Sequence, residues 1–183
     1  MDAIYLRYGG TYVAMTERPY ESEVVLQELL EQHPEMLAAP DAESGALLLV
    51  RREAPVRDSQ ESAGRWRLDH LYVDARGVPT LVEVKRSSDT RGRREVVAQM
   101  LDYAANAKTS FSADLMAAWA EEAATELGRP VADVLSDVLG VDDQDAFWRT
   151  VATNLDAERF RLIFVSDAIP PELRRIIEFS IAR

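Results

Sequence analysis

At 183 residues, with 47% apolar and 29% charged side chains, the chain has the length and composition of one globular domain with a buried core. It contains no cysteine, which excludes disulfides and thiolate metal sites. It also has no apolar run near the ~20 residues of a membrane span and no signal-peptide pattern, so the expectation is a cytoplasmic protein with no membrane partner. A net charge of −11 argues against a general nucleic-acid binder, yet Arg51 to Arg94 holds eleven Lys or Arg against seven Asp or Glu, a local excess of +4 that is either a solvated surface or a binding face.

In chain order, "AIYLRYGGTYVAM" (3–15) predicts a β-hairpin turning at Gly9-Gly10, a dipeptide that accepts positive φ. "YESEVVLQELLEQHPEML" predicts an amphipathic helix with Val24, Leu26, Leu30 and Met36 or Leu37 among its apolar positions and a break at Pro34. "ALLLVRRE" (46–53) predicts a short strand, followed by a polar loop, "APVRDSQESAG". "RWRLDHLYVDARGVPTLVEVKRS" predicts two strands joined by a turn at "DARGVP". A helix is expected over 90–107 with Val96, Val97, Met100, Leu101 and Ala104 on one stripe, capped by Asp89 or Thr90. Residues 112–155 predict an acidic helical block, whose stripe "LMAAWAEEAATEL" is core or the interface of a homodimer. "RFRLIFVSD" predicts a central strand covered on both faces, and "PPELRRIIEFSIAR" a final helix with Pro at its start. Because the sequence stops as that helix ends, either the helix caps the fold or the chain is a fragment of a longer one.

"TLVEVKRSS" (80–88) sets two opposite charges in an apolar run. Side chains alternate along a strand, so Glu83 and Lys85 project together, about 7 Å apart at Cα, while Val82 and Val84 face the core. Asp69 lies fourteen residues before Glu83, and antiparallel pairing about "DARGVP" brings the two acids near each other. Two carboxylates with an ammonium beside them suit a hard divalent cation such as Mg²⁺, which takes oxygen ligands and needs only one or two protein carboxylates. A cation there would polarise a phosphodiester and acidify a bound water, with Lys85 offsetting transition-state charge. The bland alternative is a cross-strand ion pair. The helix behind the strand adds Gln99 and Tyr103, four apart and so on one face beside the apolar stripe.

D69–x13–E83-V84-K85 followed by "QMLDY" resembles the PD-(D/E)xK nuclease superfamily, of restriction-endonuclease-like fold. "ESEVVLQELLEQHPEML" is similar to the first-helix signature of some branches. "LVEVKRSSDTRGRREVVAQMLDYAANA" is similar to the nuclease domain of the mismatch- and flap-specific NucS-type enzymes. The resemblance covers roughly 20–107 and 160–181, leaving 112–155 as a helical insertion. It implies an α/β fold with a mixed central sheet flanked by helices in the core order α-β-β-β-α-β, and catalysis with Mg²⁺ or Mn²⁺. It also implies Asp69 and Glu83 as metal-binding acids, the Val84 carbonyl as a further ligand, and Lys85 as the catalytic lysine. Gln99 and Tyr103 match a Q-x3-Y motif that supports the site or touches nucleic acid. Glu23 is the first choice for a helix acid and Glu28 the second. Leu68 stands where the family name has proline, and that position varies across the superfamily.

Arg86, Arg91, Arg93 and Arg94 either bring phosphate oxygens to the site or belong to a solvated loop and helix start. Trp66 either stacks on an unpaired base or packs in the strand. His33 is a surface residue, and His70 faces away from Asp69's side of the sheet. Two functions follow: a metal-dependent nuclease hydrolysing DNA, in repair or defence, or an inactive nuclease-fold module that binds nucleic acid or a protein partner.

Overall fold

Val- and Leu-rich runs between 47 and 84 pair as successive antiparallel strands, the second and third joined by a short turn through Gly77 at φ +69°. The computed structural model describes residues 4–16, 18–37, 45–56, 66–86 and 92–169, together with Pro171 and Arg174. Within these, β1 (Tyr5–Tyr8) and β2 (Thr11–Ala14) form the expected hairpin, turning through Gly9 and Gly10 at φ +56° and +83°. Helix α1 (Glu23–Gln32) starts at Ser22, whose side chain accepts from the Val25 N–H, and yields to a 3-10 turn over Pro34–Leu37.

Strands β3 (Leu47–Val56), β4 (Trp66–Asp74), β5 (Pro79–Val84) and β6 (Arg161–Val165) make one mixed sheet in that order. The first three are antiparallel neighbours and β6 runs parallel to β5. Between β5 and β6 lie α2 (Gly92–Ser110), α3 (Ala113–Glu126), α4 (Val131–Leu139) and α5 (Gln144–Asp156). The chain is therefore α/β, a mixed sheet flanked by helices with an N-terminal hairpin. Among the described residues no helix is long and apolar enough to cross a membrane.

Both faces of β5 are covered. Leu26 and Leu30 of α1 pack with Tyr72, Val82 and Val84 on one face, where Tyr72 Oη donates to the Leu30 carbonyl at 2.9 Å. Leu71, Val73 and Leu81 face the other way, against Met100, Tyr103, Ala107 and Phe111 of α2 and residues of α3 to α5. The helical block thus shares the core of the sheet. Gly77, at φ +69°, lets the β4–β5 turn press on α5, since a Cβ there would lie 3.1 Å from the Val151 nitrogen.

Four expectations are corrected. Strand β3 runs on to Val56 instead of ending at Glu53, because Ala54 and Val56 are buried in the core beyond a bulge between Leu49 and Arg51. Among the described strands β6 is at the edge and not central, with half-exposed side chains, although both its faces are covered in part: Phe164 packs against one core and Ile163 and Val165 against the other. The buried stripe of α2 is Met100, Tyr103 and Ala107, with Leu101 exposed, so the helix is rotated from the predicted face. On the first helix Val24 is exposed and Leu26 and Leu30 carry the packing, while in the 3-10 turn Leu37, of the two alternatives Met36 and Leu37, is the buried one. The side chains of Val96 and Val97, the caps at Asp89 and Thr90, the polar loop from residue 57, and the final helix apart from Pro171 and Arg174 lie outside the described residues.

Candidate active site

His70 pairs with Val82 across β4 and β5, so one step further along the register sets Asp69 opposite Glu83 at the open end of this hairpin. Asp69 is held by two donors. Its Oδ2 accepts from the Val84 N–H at 2.7 Å, and its Oδ1 from Gln27 Nε2 of α1 at 2.8 Å. Glu83 is only 1% exposed; Lys85 Nζ lies 3.1 Å from its Oε1, while its Oε2 is buried with no hydrogen-bond partner among the described residues. Lys85 Nζ also lies 3.7 Å from Glu23 Oε2, and Glu23 Oε1 accepts from the Arg86 N–H at 3.3 Å.

The Lys85 N–H donates to the Val165 carbonyl at 2.9 Å. In a trans peptide the carbonyl points opposite to the N–H, so the Val84 carbonyl points away from β6, towards the side where Asp69 stands. Behind the acids, Tyr103 Oη donates to the Arg67 carbonyl at 2.8 Å and accepts a short hydrogen bond from Gln99 Nε2. Tyr103 is fully buried, so of its two sequence-derived roles only support of the site fits; its ring and hydroxyl cannot touch nucleic acid.

Burial sets the electrostatics. It raises the pKa of Glu83 to about 7, with the Asp69 charge adding to the rise and Lys85 opposing it. Burial raises Asp69 as well, against the Val84 N–H and Lys85. For Lys85 burial pulls the pKa down, but Glu83, Asp69 and Glu23 together outweigh it and the net shift is upward. Tyr103 is raised by burial and by the Glu83 charge.

The remaining sequence candidates divide. Glu23 is in the network, whereas Glu28 is exposed and has no polar contact with these residues. Trp66 is half-exposed at the start of β4, opposite Val56. Arg86 joins through its backbone. Arg91 and the side chains of Arg93 and Arg94 lie outside the described residues. Sequence reasoning passed over Gln27, Arg52 and Glu31: Arg52 Nη2 donates to Gln27 Oε1 at 3.3 Å and its Nη1 to Glu31 Oε2 at 3.1 Å. The signal was present, since Glu23, Gln27 and Glu31 recur every four residues and so share one face of α1.

Among the described residues no group of three or more His, Asp or Glu is placed to hold a metal ion. A pair of carboxylates nonetheless fits Mg²⁺ or Mn²⁺, which retain waters and accept few protein oxygens. Glu83 Oε2, a buried acceptor without a donor, needs either a proton or a cation beside it. No protein-family model, curated protein or solved structure matches the chain.

Proposed function

We propose that the chain is a divalent-metal-dependent phosphodiesterase acting on DNA. The observation that carries this reading is the Asp69–Glu83 carboxylate pair with the Lys85 ammonium on one oxygen of Glu83 and no donor on the other. Its resemblance to the PD-(D/E)xK pattern supports the same assignment.

Asp69 and Glu83, with the Val84 carbonyl, would hold the metal. A bound Mg²⁺ or Mn²⁺ supplies Lewis-acid polarisation of the scissile phosphate and a water of lowered pKa. Gln27 and the Val84 N–H fix the Asp69 carboxylate, so its remaining lone pairs face one direction. The Lys85 ammonium, buried against Glu83, donates to the attacking water or to a phosphate oxygen and offsets negative charge as the P–O bond breaks. The oxygen of the leaving strand takes up a proton from water. Arg86 and the positive stretch around it oppose the repulsion between substrate and an acidic chain.

The test is cleavage of end-labelled single-stranded, duplex and flap oligonucleotides with Mg²⁺ or Mn²⁺. Glu83→Ala and Lys85→Ala should each lower the rate by about 10²-fold or more while circular dichroism is unchanged. Full cleavage in either variant overturns the assignment.

A second reading has one specific observation in its favour. Lys85 bridges Glu83 and Glu23, and Asp69 already accepts two hydrogen bonds, so the cluster is nearly closed without metal. On that reading the fold is a binding module without catalysis, and Mg²⁺ leaves the thermal midpoint unchanged. A midpoint that rises with Mg²⁺ and no longer does so in Asp69→Asn favours the first reading.

A further inference from the structure

We propose that the β1–β2 hairpin joins two copies of this chain, face to face, through an uncharged side made of Ile4, Leu6, Tyr8, Thr11, Val13 and Met15. No hairpin residue is among those that build either core of the sheet. The inference does not rest on the nuclease reading.

Antiparallel pairing sets Leu6 opposite Val13 and Tyr8 opposite Thr11, and the Met15 N–H extends the ladder by donating to the Ile4 carbonyl at 2.8 Å. Directly opposite residues share a face and neighbours along a strand alternate, so these six side chains line one side. Tyr5, Arg7, Tyr12 and Ala14 line the other. Ile4, Leu6, Tyr8, Val13 and Met15 are 50–77% exposed, and every residue of both strands is exposed. A two-stranded hairpin is marginal by itself in water; further strands or a packed face are what make it persist.

The composition of the face selects the partner. Arg7 is the one charged residue of 4–16 and stands on the opposite side, so the apolar side carries no charge. A nucleic-acid strand or an anionic bilayer would call for Lys or Arg along it. In a chain of net charge −11, like charge opposes self-association, and this face adds nothing to that repulsion. Aliphatic, tyrosine and methionine side chains with charge excluded are the make-up of the centre of a homodimer interface. A twofold axis lays each hairpin on the other, giving two paired layers ~10 Å apart in place of one bare ribbon.

The area agrees with this occupant. At these exposures the five large side chains offer on the order of 600 Å² per protomer, or about 1,200 Å² for the pair, the lower end of specific stable interfaces. A dimer with Kd in about the micromolar range follows, not an obligate one. The helical stripe "LMAAWAEEAATEL", the other surface expected to serve as core or dimer interface, is taken up by the core: Met116, Ala120 and Ala124 are buried there.

The test is sedimentation velocity of the whole chain over about 1 µM to 1 mM, where a concentration-dependent shift to twice the chain mass is expected. Leu6→Glu, which puts a carboxylate into the closed face, should weaken the dimer roughly tenfold or more. Val13→Thr keeps the β-branched shape that suits the strand, and so the hairpin, and should weaken it in the same direction. Arg7→Ser, on the other side, should leave it unchanged. No core residue is altered, so at monomeric concentration each variant should unfold at the parent's midpoint. A parent that stays monomeric, a dimer as tight in Leu6→Glu, or one weakened equally by Arg7→Ser overturns the proposal. A monomeric parent that floats with neutral phosphatidylcholine vesicles, and no longer does so as Leu6→Glu, also overturns it and assigns the face to a lipid surface.

Discussion

Gln27 Nε2 donates to Asp69 Oδ1 at 2.8 Å, so a helix residue 42 positions earlier in the chain sets the orientation of the first candidate ligand. Gln27 is in turn held by Arg52, and Arg52 by Glu31. Gln27→Ala leaves one oxygen of Asp69 and one arm of Arg52 without a partner in a half-buried setting. The expected loss is about 1–3 kcal/mol of stability, read by urea unfolding with an unchanged slope. If Asp69 binds metal, losing a group that orients it should also weaken Mg²⁺ binding about 10–100-fold by calorimetry. A stability loss with unaltered metal affinity would confine Gln27 to packing.

Glu83 makes stability fall as pH rises. Its pKa is about 7 in the folded chain, above the ordinary value of 4.5, so between those pH values the folded state binds more protons than the unfolded one. The contribution is full below about pH 4.5, is lost through pH 7 and levels off above it, amounting to at most about 3 kcal/mol. Glu83→Gln, a neutral isostere, should flatten this slope and raise the midpoint at pH 8. In the parent protein Mg²⁺ should stabilise more at pH 8 than at pH 6, because a cation takes the place of the proton. Parallel pH profiles for parent and variant would rule out Glu83 as the source.

How much of this was legible in the sequence depends on the range of the interaction. The alternation of "TLVEVK" put Glu83 and Lys85 on one face, and the short "DARGVP" turn forced Asp69 alongside; both are local rules, and the structure places these three together. The rotation of α2 was not legible. Tyr103 is buried because its hydroxyl finds the Arg67 carbonyl, a partner 36 residues away, so a residue that reads as polar takes a core position ahead of Leu101. Strand β6 misled for a similar reason: "RLIFV" is as apolar as a central strand, but among the described strands it pairs with β5 alone and so stands at the edge. Gln27 needed the docking of α1 on the sheet, which is set by Leu26 and Leu30 against Tyr72.

His70 acts in the sense opposite to Glu83. It is fully buried on the α1 side, stacked on Tyr72 with ring centroids 5.8 Å apart, and neither ring nitrogen makes a hydrogen bond among the described residues. Burial, and then the Arg52 guanidinium, lower its pKa to about 4, against a weaker opposing pull from the Gln27 backbone. Between pH 6.5 and 4 the unfolded state therefore binds the extra proton, and stability drops as pH falls through that window. His70→Phe should be neutral or stabilising by about 1 kcal/mol at pH 7, since neither ring nitrogen has a close hydrogen-bond partner among the described residues and only the weak pull of the Gln27 backbone is lost. At pH 5 its advantage should grow. An equal loss at both pH values would show that the ring nitrogens are satisfied after all.

Tyr103→Phe separates packing from support of the site. The ring would keep its place against Met100 and Ala107, but the Arg67 carbonyl and the Gln99 amide would each lose a partner. Leaving such groups unpaired costs about 1–3 kcal/mol, more than Gln99→Ala should, because Gln99 is only half-buried and retains access to water. Arg67 stands two residues before Asp69 on β4, so the carbonyl that Tyr103 anchors fixes the strand segment carrying the first candidate ligand. On the proposed function, Tyr103→Phe should therefore reduce kcat for oligonucleotide cleavage about tenfold at a temperature where the variant is fully folded, with KM little changed. A variant that loses stability but keeps its kcat would show that the hydroxyl serves the core and leaves the position of Asp69 to Gln27 and Val84.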